Sequence, residues 1–481
     1  MSPSVKVWKG MKLRHKARYW AMRALVPMRL VDFDPDFYVQ MNPDVAATGV
    51  DPLLHWVARG RKEARLSSTK QMPVAKDVWQ PGGLAMQAGK PTVLLVSHEA
   101  SRTGAPILCL SLARQLSERF NVVTLLLRDG PLSPHFKASC VRLAITKGTQ
   151  SGDIRNVMWS LDAPEYKVDA AIVNSIVSYP VLSFLEHLKV PSLMLIHEYA
   201  AYCKPAHPFD HVVKFSGKVV FSAPTTKANA IDEVGELPIL TESLVLPQGQ
   251  CVAEVAVRTD ADQAAETRLI ASALDKGADA DALVVVGAGS VNLRKGVDVF
   301  IQCAAQLRKK APNVHFKFVW VGGGYEPQQD QSYSVYLHEQ VKRSGLADSF
   351  TFLGEVADIQ AVYDRTDVFL LTSRLDPLPN VGIDAICSGL PIFCFRDASG
   401  IADILTQEGY ADELVAPYMD VDAMASQVAE VVLNPEHRHA LGKRLQATAQ
   451  NVFSMSRYAQ SIGDEVDALL RKGAQRTNEL A

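Results

Sequence analysis

The sequence predicts an α/β protein: two doubly wound parallel-sheet domains in tandem, preceded by a small helical N-terminal region. Three observations carry this. Short β-branched runs alternate with helical stretches, the signature of βαβ units. The runs are near-continuously apolar, as in parallel strands covered on both faces. The alternation starts afresh after an Ala- and Asp-rich stretch at about 251–282. The length of 481 residues fits this, at roughly 100–200 residues per domain.

Residues 1–31 hold eight Lys and Arg, no acid, and Trp8, Tyr19 and Trp20 among other apolar residues. Basic side chains beside aromatics suit an interfacial helix on an anionic membrane; a solvated basic arm has the same composition. The whole chain balances 50 Lys and Arg against 52 Asp and Glu, so the remaining 450 residues hold 42 basic and 52 acidic side chains. That balance argues against a protein that coats nucleic acid. Residues 32–90 read as a small helical module and linker. Phe37, Tyr38, Met41, Val45, Leu53, Leu54, Trp56 and Val57 recur at helical spacing. Asp36 and Asp51 are candidate caps, Pro52 suits a first helical position, and Gly49 and Gly60 suit helix ends.

Residues 91–250 form the first doubly wound domain. Its expected strands are 92–97, 122–127, 170–174, 192–197 and 218–221, with a helix over 106–119. Residues 251–456 form the second, with strands at 283–286, 316–321, 350–353, 368–372 and 392–395, and helices over 297–310 and 335–344. An amphipathic helix near 457–472 opens the tail, 457–481. Seven scattered cysteines, an odd number without a CxxC pair, make structural zinc and a disulfide framework unlikely readings and a reducing cytoplasm the simplest one.

Ligands of such domains bind at the carboxyl ends of strands. Five segments there carry chemistry. In SRLDPLPNVGIDAICSGLP, 373–391, Asp376 lies in a loop kept extended by Pro377 and Pro379. Asn380 can cap a helix whose free N–H groups suit phosphate, with Asp384 one turn in and Gly389 placed for a left-handed exit. In GAGSVNLRKGVD, 287–298, Arg294 and Lys295 suit a diphosphate. In SHEASRTGAP, 97–106, Gly104 permits close backbone approach. His197, at the end of 192–197, suits acid–base work or the positioning of a hydroxyl. Gly322–Gly324 suit either a tight turn or approach of a nucleobase. Each feature has a plain structural alternative: helix-start electrostatics for the two Asp, a solvated turn for the basic pair, a core role for the histidine.

Taken jointly and in order, SHEASRTGAP, IHE at 196–198, RKGVD at 294–298, VGGG at 321–324, FLGEV at 352–356 and DPLPNVGIDAICSGLP at 376–391 resemble the retaining glycosyltransferases of family 4 (group 1). These have the GT-B fold, two Rossmann-like domains facing a cleft. The resemblance spans about 91–470. Residues 33–65 resemble a helical module found beside such domains in bacterial surface-polysaccharide enzymes. It implies a sugar nucleotide, UDP-, GDP- or dTDP-linked, on the second domain and an acceptor on the first. Lys295 and Arg294 would neutralise the diphosphate, with backbone amides near Leu378, Asn380 and Val381 holding it. Asp376 would contact sugar hydroxyls and Asp384 the ribose. Gly322 and Gly323, with Gly354, Glu355 and Val356, would lie toward the base. Gly104 and Ala105 would approach the phosphates, and His197 would line the sugar or acceptor side.

The implied reaction is front-face transfer with retention to a glycan or lipid-linked acceptor. It uses no metal and no cofactor beyond the donor, at a cytoplasmic or inner-membrane face. Two positions depart from the pattern. Gly289 stands where many members carry an Arg six residues before the motif Lys, and the second motif acid is Asp384 in place of Glu. The departures keep a second reading open, a catalytically inactive GT-B scaffold in a polysaccharide assembly. A nicotinamide oxidoreductase is excluded, since neither domain's first strand leads into GxGxxG.

Overall fold

The computed structural model describes residues 33–42, 45, 48–63, 65, 67–68, 78–148, 152–204, 207–251, 258–276 and 281–480. The basic segment 1–31 and most of the linker lie outside the described residues. The chain divides into two units: Met1–Val78 together with Gly152–Tyr166, and the remainder. The sequence places 152–166 in the first doubly wound domain. Its helix Gly152–Ser160 instead belongs to the N-terminal unit, where Trp159 packs on Phe37 with ring centroids 5.4 Å apart.

In that unit Tyr38, Val45 and Trp56 form a small core. Asp51 caps the Pro52–His55 helix through Leu54 N, and Pro52 takes the first position. The preceding helix, Pro35–Met41, is capped by Asp34 rather than Asp36: Asp34 Oδ1 accepts from Phe37 N at 3.0 Å. Gly60 does not end a helix in a left-handed turn. It lies in a π-helical turn, Trp56–Gly60, where a Cβ would come 2.1 Å from Tyr38 Oη.

The larger unit holds two sheets. The first contains β1 (Gln80–Pro81), β2 (Thr92–Ser97), β3 (Asn121–Leu126), β4 (Arg142–Ile145), β5 (Ala170–Asn174), β6 (Ser192–Ile196), β7 (Lys218–Phe221) and β8 (Leu244–Val245). Its order is β1-β4-β3-β2-β5-β6-β7-β8, parallel except for β1. The second contains β9 (Leu283–Ala288), β10 (Phe316–Val321), β11 (Phe350–Gly354), β12 (Val368–Leu371), β13 (Ile392–Phe395) and β14 (Val415–Ala416), in the order β11-β10-β9-β12-β13-β14, all parallel. In each sheet the first long strand has a neighbour on either side that winds away in the opposite direction. The order therefore reverses between β2 and β5 and between β9 and β12. A crevice opens at such a reversal, beyond the strands' carboxyl ends.

Apolar residues of β9, β10, β12 and β13 form the second core with the flanking helices. The last helix, Met455–Leu480, turns back to the first sheet: Tyr458, Ala459, Ile462 and Val466 are buried with Leu112, Leu116 and Leu195. Arg119 adds an ion pair to Asp464 at 2.7 Å. Among the described residues no helix is long and apolar enough to cross a membrane.

Candidate active site

Both order reversals carry polar residues, and the larger unit brings them together. At the second sheet's reversal, β9 leads into Gly289 and a 3₁₀ turn, Leu293–Lys295, and β12 leads into the loop to Asp376. Asp376 is buried. Arg294 Nη1 lies 2.6 Å from its Oδ1, Lys295 Nζ 2.5 Å from Oδ2, and Ser373 Oγ donates at 3.1 Å. Burial acts to raise the Asp376 pKa, but the Lys295 and Arg294 charges outweigh it and hold the carboxyl below its ordinary value. Two cations against one carboxylate leave the cluster with one net positive charge.

Gly289, the departure from the family pattern, has a physical reason. Its φ is 142°, and a Cβ there would meet the Lys295 side-chain carbons at 3.0–3.2 Å. Lys295 lies across the glycine, and Arg294 comes to the same carboxylate from the next position.

The loop to Asp376 is stiff for more reasons than its prolines. Asp376 N donates to Ala398 O at 2.8 Å, and Gly400 N to Pro377 O at 2.6 Å. Arg374 grips Asp298 with both guanidinium nitrogens at 3.0 and 2.7 Å and donates to Leu293 O, while Tyr333 Oη donates to Asp298 at 2.7 Å. No motif or period in the sequence marks this brace between the two loops. Its signal was an Arg and an Asp in the two segments flanking one reversal.

The loop ends in the helix Asn380–Cys387. Its N-cap is Pro379, not Asn380. Asn380 is the first helical residue, and its Oδ1 accepts from Gln248 Nε2 at 2.5 Å. A Cβ on Gly104 would lie 3.6 Å from Asn380 Nδ2. Gly104 begins the helix Gly104–Leu116 after β2, so two helix N-termini, one from each sheet's reversal, approach each other. A helix N-terminus leaves its first N–H groups without intrahelical partners and carries the positive end of the dipole, as anions require. Leu378 is buried; Val381 is half-buried, and its carbonyl accepts from Tyr363 Oη at 3.2 Å. Asp384, one turn in, accepts from Gln250 Nε2 at 3.1 Å; burial pushes its pKa up to about 6.

Gly322, Gly323, Gly354, Glu355 and Val356 gather where β10 and β11 end. Gly322 N donates to Gly354 O at 2.7 Å, and a Cβ on Gly322 would come 2.1 Å from Gly289 O. Gly323 faces the Glu355 carboxylate, and Tyr325 stacks on Phe352 at 3.7 Å and 7°. Glu266 Oε1, from a distant helix, accepts from Ala357 N and Asp358 N just beyond Val356.

On the first sheet, Asn174 Nδ2 donates to Ala105 O at 2.9 Å, which turns its Oδ1 toward His197 Nε2, also at 2.9 Å. A carboxamide oxygen only accepts, so Nε2 carries the proton and Nδ1 is a bare lone pair. Nδ1 is buried without a partner. Burial, with the nearby His98, pushes the His197 pKa down to about 4. The ring is therefore neutral at physiological pH, able to accept a hydrogen bond and not to supply charge. Heteronuclear NMR of ¹⁵N-His protein is expected to show the Nε2–H tautomer, with no titration of this ring above about pH 5; a ring titrating near 6.5 would overturn the assignment. Glu198, unassigned by sequence reasoning, ties β5 to β6. It accepts from Ile176 N and His197 N, both at 3.0 Å, and from Ser175 Oγ, whose residue has a φ of 74°.

Residues 274–448 match the family described as glycosyl transferases group 1. Among curated proteins, the chain is 34% identical over 110 residues to mannosylfructose-phosphate synthase of Agrobacterium fabrum, covering 22% of this chain and 24% of that one. It is 26% identical over 182 residues to the lipopolysaccharide core biosynthesis mannosyltransferase LpcC of Rhizobium leguminosarum bv. viciae, covering 38% and 50%. The chain thus spans a quarter to a half of the length of these relatives. Among solved structures it resembles Anabaena Alr3699/HepE in complex with UDP and glucose, with a TM-score of 0.63, 17% identity and coverage of 79% of this chain and 100% of that one. The chain therefore has the GT-B fold, and its residues 274–448 match the glycosyl transferases group 1 family.

Proposed function

We propose that the protein transfers a sugar, with retention, from a nucleotide-sugar donor to a glycan or lipid-linked acceptor in bacterial surface-polysaccharide synthesis. The observation that carries this reading is the convergence of Arg294, Lys295 and two helix N-termini at the paired order reversals. Net positive charge and free amides there suit a diphosphate. The lipopolysaccharide and mannosyl relatives support the acceptor class, and the neighbour solved with UDP and glucose supports a nucleotide-linked donor.

The geometry supports the following chemistry. The bond from the anomeric carbon to the diphosphate oxygen breaks, the acceptor oxygen bonds that carbon on the same face, and the acceptor's proton passes to the departing phosphate. Arg294, Lys295 and the amides at Leu378, Asn380 and Val381 balance the growing charge, so no metal is needed. Asp376, fixed by its cations, accepts from donor-sugar hydroxyls, and neutral His197 accepts from a sugar hydroxyl through Nδ1. Asp384 takes the ribose. Gly104 and Ala105 let the first domain approach the phosphates, and the Gly322–Gly323 and Gly354–Val356 edges face the base. The cationic, aromatic stretch 1–31 supports work at an anionic cytoplasmic membrane surface, where lipid-linked acceptors lie.

The test is a panel of UDP-, GDP- and dTDP-sugars with lipid-linked oligosaccharide extracts, with the product's anomeric configuration read by NMR. One donor class is expected to give an α-linked product from an α-linked donor. Inversion would overturn retention. Absence of both transfer and nucleotide binding would favour the inactive scaffold.

A further inference from the structure

The connector between the two sheets runs from β8 past the donor helix. Leu246 N donates to Phe221 O, and Gln250 N donates to Phe453 O at 2.8 Å. The returning chain presses on Gly249, where a Cβ would come 2.3 Å from Met455 Cα. The connector is thus pinned against the segment that leads into the last helix. Its two glutamines, two residues apart, meet two residues one turn apart on the Asn380–Cys387 helix: Gln248 with Asn380 and Gln250 with Asp384. Residues at i and i+4 of a helix share a face, so both contacts lie on one side of the helix's first turns. Among the described residues Asp384 has no cation partner; the Gln250 amide is its hydrogen-bond donor.

We propose that Gln248 and Gln250 are positioning residues for the donor. They orient Asn380 and the Asp384 carboxylate and make the connector respond to nucleotide occupancy. This rests on the reading of Asp384 as a donor contact. A nucleotide hydroxyl that hydrogen-bonds Asp384 competes with or reinforces the Gln250 amide, and Gln250 is backbone-bonded to the returning chain. Filling of the site is thereby felt at the place where both crossings between the sheets run together.

The test measures UDP, GDP and dTDP binding to the full chain by calorimetry, for the wild type and for Gln250→Leu, Gln250→Glu and Asp384→Ala. Gln250→Leu removes the donor and is expected to weaken binding about tenfold. Gln250→Glu places a carboxyl where only its protonated form can donate. Its binding deficit is expected to grow as pH rises from about 5 to 8. The other titratable groups around Asp384 are Tyr363, Cys251 and Cys387. Both thiols are pushed up to about 12 by burial, and Tyr363 is raised as well, so none of the three titrates in that window; Asp384 itself, pushed up to about 6, ionises within it, so each variant is read against the wild type at the same pH. Hydrogen exchange at residues 246–251 is expected to change on nucleotide addition in the wild type and not in a Gln248→Ala/Gln250→Leu double variant. Wild-type affinity in both Gln250 variants at every pH, with loss in Asp384→Ala, would overturn the proposal and leave the donor reading standing. Absence of binding to the wild type would overturn the donor reading itself, and the proposal with it.

Discussion

Lys295→Ala is expected to lower sugar transfer by about 10²–10³-fold, the scale of losing one preorganised group that balances charge in the transition state. The cluster passes from one net positive charge to none, because Asp376 still neutralises Arg294. On the proposed reaction the loss should appear mainly in kcat, since the departing diphosphate would gain charge as the sugar leaves. Stability should fall as well, by about 2 kcal/mol at neutral pH, because a buried carboxylate loses one of two cations. The pH dependence has a definite sign. The Asp376 pKa is held below its unfolded value. Its contribution to stability is therefore present above the ordinary carboxylate pKa of about 3.9 and is lost as pH falls through the folded value. Without Lys295 that depression shrinks, so the variant's deficit is full at pH 7 and diminishes on acidification below about 4. Urea denaturation at both pH values, beside initial rates, checks each part. Wild-type transfer with intact stability would remove Lys295 from the site.

The frame of this site was legible because the physics that sets it is local. The spans of β2, β5, β7, β10 and β13 coincide with near-continuous apolar runs, and a doubly wound domain binds its ligands at the loops after the strands flanking such a reversal. What stayed hidden depends on partners far apart in sequence. β4 begins with Arg142 and spans four residues, and β1, β8 and β14 span two each, too short to show any pattern. Asn380 has the composition of a cap, but Gln248, 132 residues away, takes its side chain and Pro379 takes the cap position. The Arg374–Asp298 brace and the Glu198 clasp likewise pair groups whose spacing carries no period. Gly289, a gap in the motif when read linearly, is filled by the stem of Lys295.

The second large effect concerns the residue after Lys295. Gly296 has a φ of 69°, and a Cβ there would come 2.0 Å from Thr372 O and 2.9 Å from Thr372 C. Gly345 has nearly the same backbone, with φ 67°, but opens onto empty space. The pair separates two costs that glycine positions usually mix. Gly345→Ala meets only the left-handed penalty, about 1 kcal/mol. Gly296→Ala meets that penalty and a backbone carbonyl at the end of β12 that cannot turn aside, and is expected to cost more than about 4 kcal/mol. Relief would require the Gly296 turn and the β12 end to separate. That would break the Thr372 Oγ1 bond to Gly296 O at 2.9 Å and the Arg374 N bond to Arg294 O at 2.8 Å. Both bonds hold the Lys295 turn beside Asp376, so any Gly296→Ala protein that folds should also lose transfer, whereas Gly345→Ala should keep it. Denaturation midpoints and initial rates of the two variants decide the matter. Equal midpoints would mean that the close approach at Thr372 contributes nothing, and that left-handed strain alone sets the price of both substitutions.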